Sequence, residues 1–93
     1  MMTDDVLTAE LEIRNRKGLH ARAAAAFVKC LDDFDAEVTV ERCGQVVSGS
    51  SIMGLMMLAA SKGTSILVKS SGKQAAEALD AVRTLVEAKF GED

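Results

Sequence analysis

The sequence predicts an α+β fold: a four-stranded, mainly antiparallel sheet with three helices on one face, in the order strand, helix, strand, strand, helix, strand, helix. Three observations predict it. Short stretches with an apolar residue at every second position have the period of strands with one buried and one wet face. Longer stretches with apolar residues three and four positions apart have the period of helices. Between two of the strand patterns stands Cys43-Gly44, a two-residue turn suited to a hairpin. Strands wetted on one side leave the helices to lie together on the other, which makes an open-faced sandwich.

Each element can be placed in turn. Residues 1–5 read as a short polar tail. Leu7, Ala9, Leu11 and Ile13 then alternate with Thr8, Glu10, Glu12 and Arg14, giving a first strand. Asn15 to Leu19 has loop composition and contains Gly18, after which Ala24, Phe27, Val28 and Leu31 mark a helix from about Ala21 to Asp32. Val38 and Val40, alternating with Glu37, Thr39 and Glu41, form the second strand, and Gln45 to Ser48 returns across the turn as the third. Ser48-Gly49-Ser50-Ser51 supplies hydroxyls to cap a short apolar helix, Ile52 to Ala60. Its core face is expected to be Ile52, Leu55, Met56 and Ala59, with Met53 and Met57 left outside as an adaptable contact patch. Ile66 and Val68 belong to a fourth strand ending near Ser70. Ser71 and Gln74 match a capping box. The third helix follows, with Ala75, Leu79, Val82, Val86 and Phe90 on one face and Gly91-Glu92-Asp93 as its frayed end.

Ninety-three residues make one domain, 1–93, with room for a modest core and a surface site rather than a deep cleft. The net charge of -3, three Phe and the absence of Trp and Tyr leave neither a basic surface nor a stacking platform, so nucleic acid is not an expected partner. Cys30 and Cys43 are too far apart for a C-x-x-C pair, and with a single histidine they make no four-ligand metal site. They read as free thiols of a reducing compartment. The N-terminus has no basic-then-apolar pattern and no run is long enough to cross a bilayer, so the expectation is a cytoplasmic monomer away from membranes.

The chemistry centres on Asn15-Arg16-Lys17-Gly18-Leu19-His20-Ala21-Arg22. Four cations, Arg14, Arg16, Lys17 and Arg22, stand between positions 14 and 22 with no acid among them, in a chain that is acidic as a whole. A histidine at a helix start lies near free first-turn amides and the positive end of the helix dipole, both of which favour an anion. Arg22 can add a charge-assisted fork to the same anion. Imidazole is a competent nucleophile near neutral pH, its ordinary pKa being about 6.5. His20 can therefore accept a phosphoryl group, with Arg22 and the amides of Ala21, Arg22 and Ala23 holding the equatorial oxygens. The sequence offers no Walker loop, carboxylate base or metal cluster, which favours a carrier needing no cofactor over a self-contained enzyme.

Gly18-Leu19-His20-Ala21-Arg22 resembles the active site of the histidine-containing phosphocarrier protein (HPr) family of the phosphoenolpyruvate-dependent phosphotransferase system. Ser51-Ile52-Met53-Gly54-Leu55-Met56 resembles that family's regulatory-serine segment at the matching distance, and the order of elements agrees from about residue 6 to 90. The resemblance implies a sheet order of 1-4-2-3. It implies that His20 takes a phosphoryl group on Nδ1 from Enzyme I and passes it to an Enzyme IIA-type acceptor, with magnesium needed only by the partner enzymes. Arg22 would be the phosphate partner. Ile52, Met53 and Met56, with Ala21 and Ala24, would form the docking surface, and Ser51 would be the target of an HPr kinase/phosphorylase.

Two positions depart from the family pattern. Ser50 stands where many members carry a basic residue. Ala23 replaces the proline of Gly-x-His-Ala-Arg-Pro, which leaves an amide able to donate to the phosphate and is similar to variants of the nitrogen-related NPr branch. Two other readings compete: a metabolite-sensing regulatory domain in which His20 contacts a non-covalent ligand, and an interaction module in which only the methionine face matters.

Overall fold

Which face of each strand is buried follows from the alternation of apolar and polar residues, and one register satisfies all four strands. The computed structural model describes residues 6–92, and the tail expected at residues 1–5 lies outside them. In chain order the elements are β1 (Leu7–Glu12), α1 (Ala21–Leu31), β2 (Glu37–Arg42), β3 (Gln45–Ser48), α2 (Ile52–Met57), β4 (Ser65–Ser71) and α3 (Ala75–Glu87), followed by a 3₁₀ turn over Lys89–Gly91. The sheet order is β1-β4-β2-β3 and every pairing is antiparallel. Val68 of β4 sits between Ala9 and Val40, and Val40 faces Val47 of β3. This row lies under the helices. Ile13, Phe27, Val40, Leu55, Ile66, Val68, Val82 and Val86 are the fully buried large apolar side chains of the core between the sheet and the helices.

The hairpin between β2 and β3 turns at Cys43 (φ 53°) and Gly44 (φ 81°), both left-handed, as a turn matched to the strand twist requires. Alpha helices α1 and α3 bury stripes at helical spacing: Ala23, Ala24 and Phe27 in the first, Ala75, Ala78, Leu79, Val82 and Val86 in the second.

Three expectations change. The capping box is absent: Ser71 is the last residue of β4, paired with Glu37, so it belongs to the sheet and not to a helix start. Gln74 takes the N-cap position of α3, and its side-chain oxygen accepts from the Asp35 amide at 2.7 Å. The second helix ends at Met57 rather than Ala60, because Ala59 adopts φ 52° and turns the chain. One turn shorter, α2 buries only Leu55 along its length, while Leu58 and Ala60 enter the core beyond its end. Ile52, Met56 and Ala59, expected inside, are exposed. Finally, α3 does not continue through Phe90. Lys89, Phe90 and Gly91 have φ of 58°, 57° and 78°, which bends the chain and still buries the Phe90 ring.

Candidate functional site

Three stretches of chain meet at His20, and the first is its own loop. Asn15 to Gly18 is a turn closed twice over. The Gly18 amide donates to the Asn15 carbonyl at 3.2 Å, and Asn15 Nδ2 donates to the Gly18 carbonyl at 2.8 Å. Gly18 has φ +65°, and a Cβ there would overlap the Ala60 carbonyl oxygen and lie 2.9 Å from Ser61 Cα. Only glycine fits both demands. The next residue, Leu19, is buried and donates its amide to that same Ala60 carbonyl at 2.9 Å. The loop is thus clamped onto the segment that follows α2.

The second stretch is α1. His20 is its N-cap, with extended backbone (φ -75°, ψ -179°) and a carbonyl that accepts the first helical hydrogen bond from the Ala24 amide at 2.8 Å. The ring does not cap the helix. First-turn amides have no acceptor within their own helix. Ala21 and Arg22 are exposed and Ala23 is fully buried.

The third stretch is the end of the chain, which sequence reasoning took for a frayed terminus. Phe90 anchors it in the core, and the Glu92 amide donates to the Lys89 carbonyl at 2.9 Å. Glu92 then points back at the site: its Oε2 lies 2.7 Å from His20 Nε2, and its Oε1 accepts from the buried Asn15 Nδ2 at 3.2 Å. Partial burial pushes the Glu92 carboxyl up. Hydrogen bonds from Asn15 and His20, with electrostatic attraction from the His20 and Arg22 side chains, outweigh that and hold it below the usual glutamate range.

Arg16, Lys17, His20, Arg22 and Glu92 line a pocket of about 190 Å³. Arg14 is exposed and is not among the lining residues. A carboxylate 2.7 Å from Nε2 requires that nitrogen to carry the proton, which leaves the lone pair of the neutral ring on Nδ1. Among the described residues nothing hydrogen-bonds to Nδ1. The pocket thus places an Nδ1 with no partner among the described residues beside Arg16, Lys17 and Arg22. A larger hollow of about 390 Å³, between the end of α1 and the start of β2, is lined by residues such as Val28, Leu31, Thr39 and Ser48 and holds no comparable cluster.

The second motif is also in place. Ser51 is the N-cap of α2, its Oγ accepting from the Gly54 amide at 2.9 Å. Beyond it Ile52, Met53, Met56 and Met57 are 42%, 73%, 43% and 64% exposed. Ala21, expected beside them, is exposed, but Ala24 is completely buried under α1 and has no surface to offer a partner. Sequence reasoning missed Asn15 and Glu92. An apolar Phe90 followed by Gly91 was the one local sign that the chain turns back there.

The fold and site define a small open sandwich that presents one histidine at a helix start, in a pocket shared by three cations and one carboxylate, beside an exposed apolar helix. A family model described as "PTS HPr component phosphorylation site" matches residues 7–88. The phosphocarrier protein HPr of Neisseria meningitidis serogroup A is 46% identical over 87 residues, 94% of this chain and 98% of that protein. The phosphocarrier protein NPr of Shewanella violacea is 41% identical, over 92% of this chain and 94% of its own. Among solved structures, HPr from Thermoanaerobacter tengcongensis superposes with a TM-score of 0.89 at 39% identity, covering 94% of this chain and 98% of that one. The chain belongs to the HPr family of phosphocarrier proteins.

Proposed function

We propose that His20 is the phosphoryl carrier of this chain, in line with a phosphotransferase-system role rather than catalysis in its own right. The Nδ1 lone pair attacks the phosphorus of a phosphohistidine on Enzyme I. The new N–P bond forms as the donor's N–P bond breaks, and that electron pair returns to the donor ring. Arg22 and the amides of Ala21 and Arg22 take the equatorial oxygens, with Arg16 and Lys17 adding positive charge around the pocket. The group then passes to an Enzyme IIA-type acceptor by the same exchange in reverse. No metal or cofactor of the chain's own enters this scheme. The observation that carries it is the engagement of His20 Nε2 by a carboxylate, which leaves Nδ1 as the nucleophile within a cationic pocket.

Ile52, Met53 and Met56, with Ala21, form the docking surface in this reading, since an exposed methionine face adapts to more than one partner. Phosphorylation of Ser51 by an HPr kinase/phosphorylase would put nearly two negative charges beside that face and so discourage docking without unfolding α2. The setting is cytoplasmic, with the chain working as a monomer, and the same chemistry serves the sugar-transport and nitrogen-related branches alike.

The test is incubation with Enzyme I, phosphoenolpyruvate and magnesium, followed by intact-mass analysis and phosphorus NMR. A single acid-labile phosphoryl adduct, lost in His20→Ala, is the expected result. No adduct from an Enzyme I that is active on another carrier would overturn the proposal.

A further inference from the structure

We infer that Glu92 is a positioning residue for His20, built into the end of the chain to fix the ring's tautomer and to balance the charge it acquires; the inference rests on the phosphoryl-carrier reading above. The contact is held from both sides. Oε2 meets His20 Nε2 at 2.7 Å, while Oε1 is tied to Asn15 Nδ2, whose other hydrogen bond goes to the Gly18 carbonyl. Asn15 is fully buried, so the anchor of the carboxylate is part of the rigid loop that also carries the histidine. The backbone is committed as well. Three successive positive φ angles at Lys89, Phe90 and Gly91, with the Phe90 ring in the core, return the chain to the pocket.

The chemical consequence follows from where the electrons go. When Nδ1 of the neutral ring forms its bond to phosphorus, the proton stays on Nε2, and the ring becomes an imidazolium carrying a phosphoryl group. Glu92 faces that new positive charge at hydrogen-bond distance and accepts a hydrogen bond from Nε2–H while the proton stays on the ring. On transfer onward, the N–P electron pair returns to Nδ1 and the ring is again neutral, still in the Nε2–H form. Glu92 touches neither donor nor phosphorus. It acts through the ring, as a carboxylate behind a histidine does elsewhere by fixing orientation and tautomer.

The test separates this role from folding and from the carrier reading. Glu92→Ala and Glu92→Gln are compared with the wild-type chain in two measurements. The first is nitrogen-15 NMR of the unphosphorylated ring, about two pH units above the ordinary imidazole pKa, where the neutral tautomers are read directly. The wild-type ring is expected in the Nε2–H form alone, and Glu92→Ala as a mixture. The second is the rate of adduct formation with phosphorylated Enzyme I, expected to fall roughly ten- to a hundredfold in Glu92→Ala, by analogy with the loss of the hydrogen-bond partner behind a metal-bound histidine. Glu92→Gln keeps size and polarity but not charge, and should lose much of that rate with its far-ultraviolet circular dichroism unchanged. An unchanged tautomer ratio in Glu92→Ala, or an unchanged rate in both variants, overturns the role of Glu92 while the carrier reading stands. Absence of any adduct on the wild-type chain overturns the carrier reading itself, and this inference with it.

Discussion

Replacing Gly18 by alanine should destabilise the chain by about 2–5 kcal/mol, and the structure allows that figure to be split in two. One part is the left-handed backbone: φ is +65°, where an L side chain costs roughly 1–2 kcal/mol. The other is steric, because the new methyl would overlap the Ala60 carbonyl oxygen and approach Ser61 Cα to 2.9 Å. Backbone cannot swing aside as a side chain can, and forced overpacking costs about 1–3 kcal/mol more. Gly63 supplies the control, since its φ is +91° but a Cβ there meets nothing within 4 Å. Gly63→Ala should therefore show only the first part. Both substitutions reduce the freedom of the unfolded chain equally, so the difference between them isolates the overlap. The chain has no Trp or Tyr, and urea unfolding is best followed by circular dichroism at constant slope. Equal losses in the two variants would refute the clamp between the His20 loop and the segment after α2.

Three further outcomes are expected. Ser51→Ala should cost about 1 kcal/mol through the lost cap on Gly54, whereas Ser50→Ala, whose exposed hydroxyl only meets that of Ser48, should stay within about 0.5 kcal/mol; thermal melts distinguish them. Burial, reinforced by the charge of Asp33, pushes the Cys30 thiol up, and Cys43 is exposed, so iodoacetamide should alkylate Cys43 first, and equal labelling by peptide mass would contradict this. Because the folded chain holds Glu92 below the usual glutamate range, its contribution to stability is complete above the unfolded value and is lost as pH falls through the folded one. The gap in urea midpoint between wild type and Glu92→Gln should accordingly close on acidification, and a gap that persists well below the usual glutamate range would count against the pairing.

Much of this architecture is legible in the sequence because it is set locally. Period-two apolar residues place β1, β2 and β4, and Cys43-Gly44 places the hairpin to the residue. His20 at the head of α1 follows from a glycine loop meeting a helical stripe. What the sequence hides is decided by partners far along the chain. Ser71 and Gln74 have the spacing of a capping box, but pairing with Glu37 draws Ser71 into β4 and Asp35 claims the Gln74 side chain. The buried stripe of α2 was misjudged because Ala59 stops the helix, and only then do Leu58 and Ala60 turn inward. Glu92 is 72 positions from His20, and no window of sequence contains both.

A carrier must give up what it takes, and the charges around His20 bear on that requirement. Arg16, Lys17 and Arg22 alone would hold a phosphoryl group, which brings nearly two negative charges, in a strongly favourable field. An anion held too tightly is not passed on. Glu92 offsets part of that field and pairs with the ring at 2.7 Å, so in the proposed scheme its carboxylate would oppose the phosphoryl group electrostatically while supporting the Nε2–H form of the ring. The balance is local, since screening in salt confines such effects to about 8–10 Å. On the proposed role of His20, this gives a reason for a chain of net charge -3 to gather cations at one helix start: the positive charge would draw a donor's phosphoryl group to Nδ1, and one acid placed behind the ring would keep the transfer reversible.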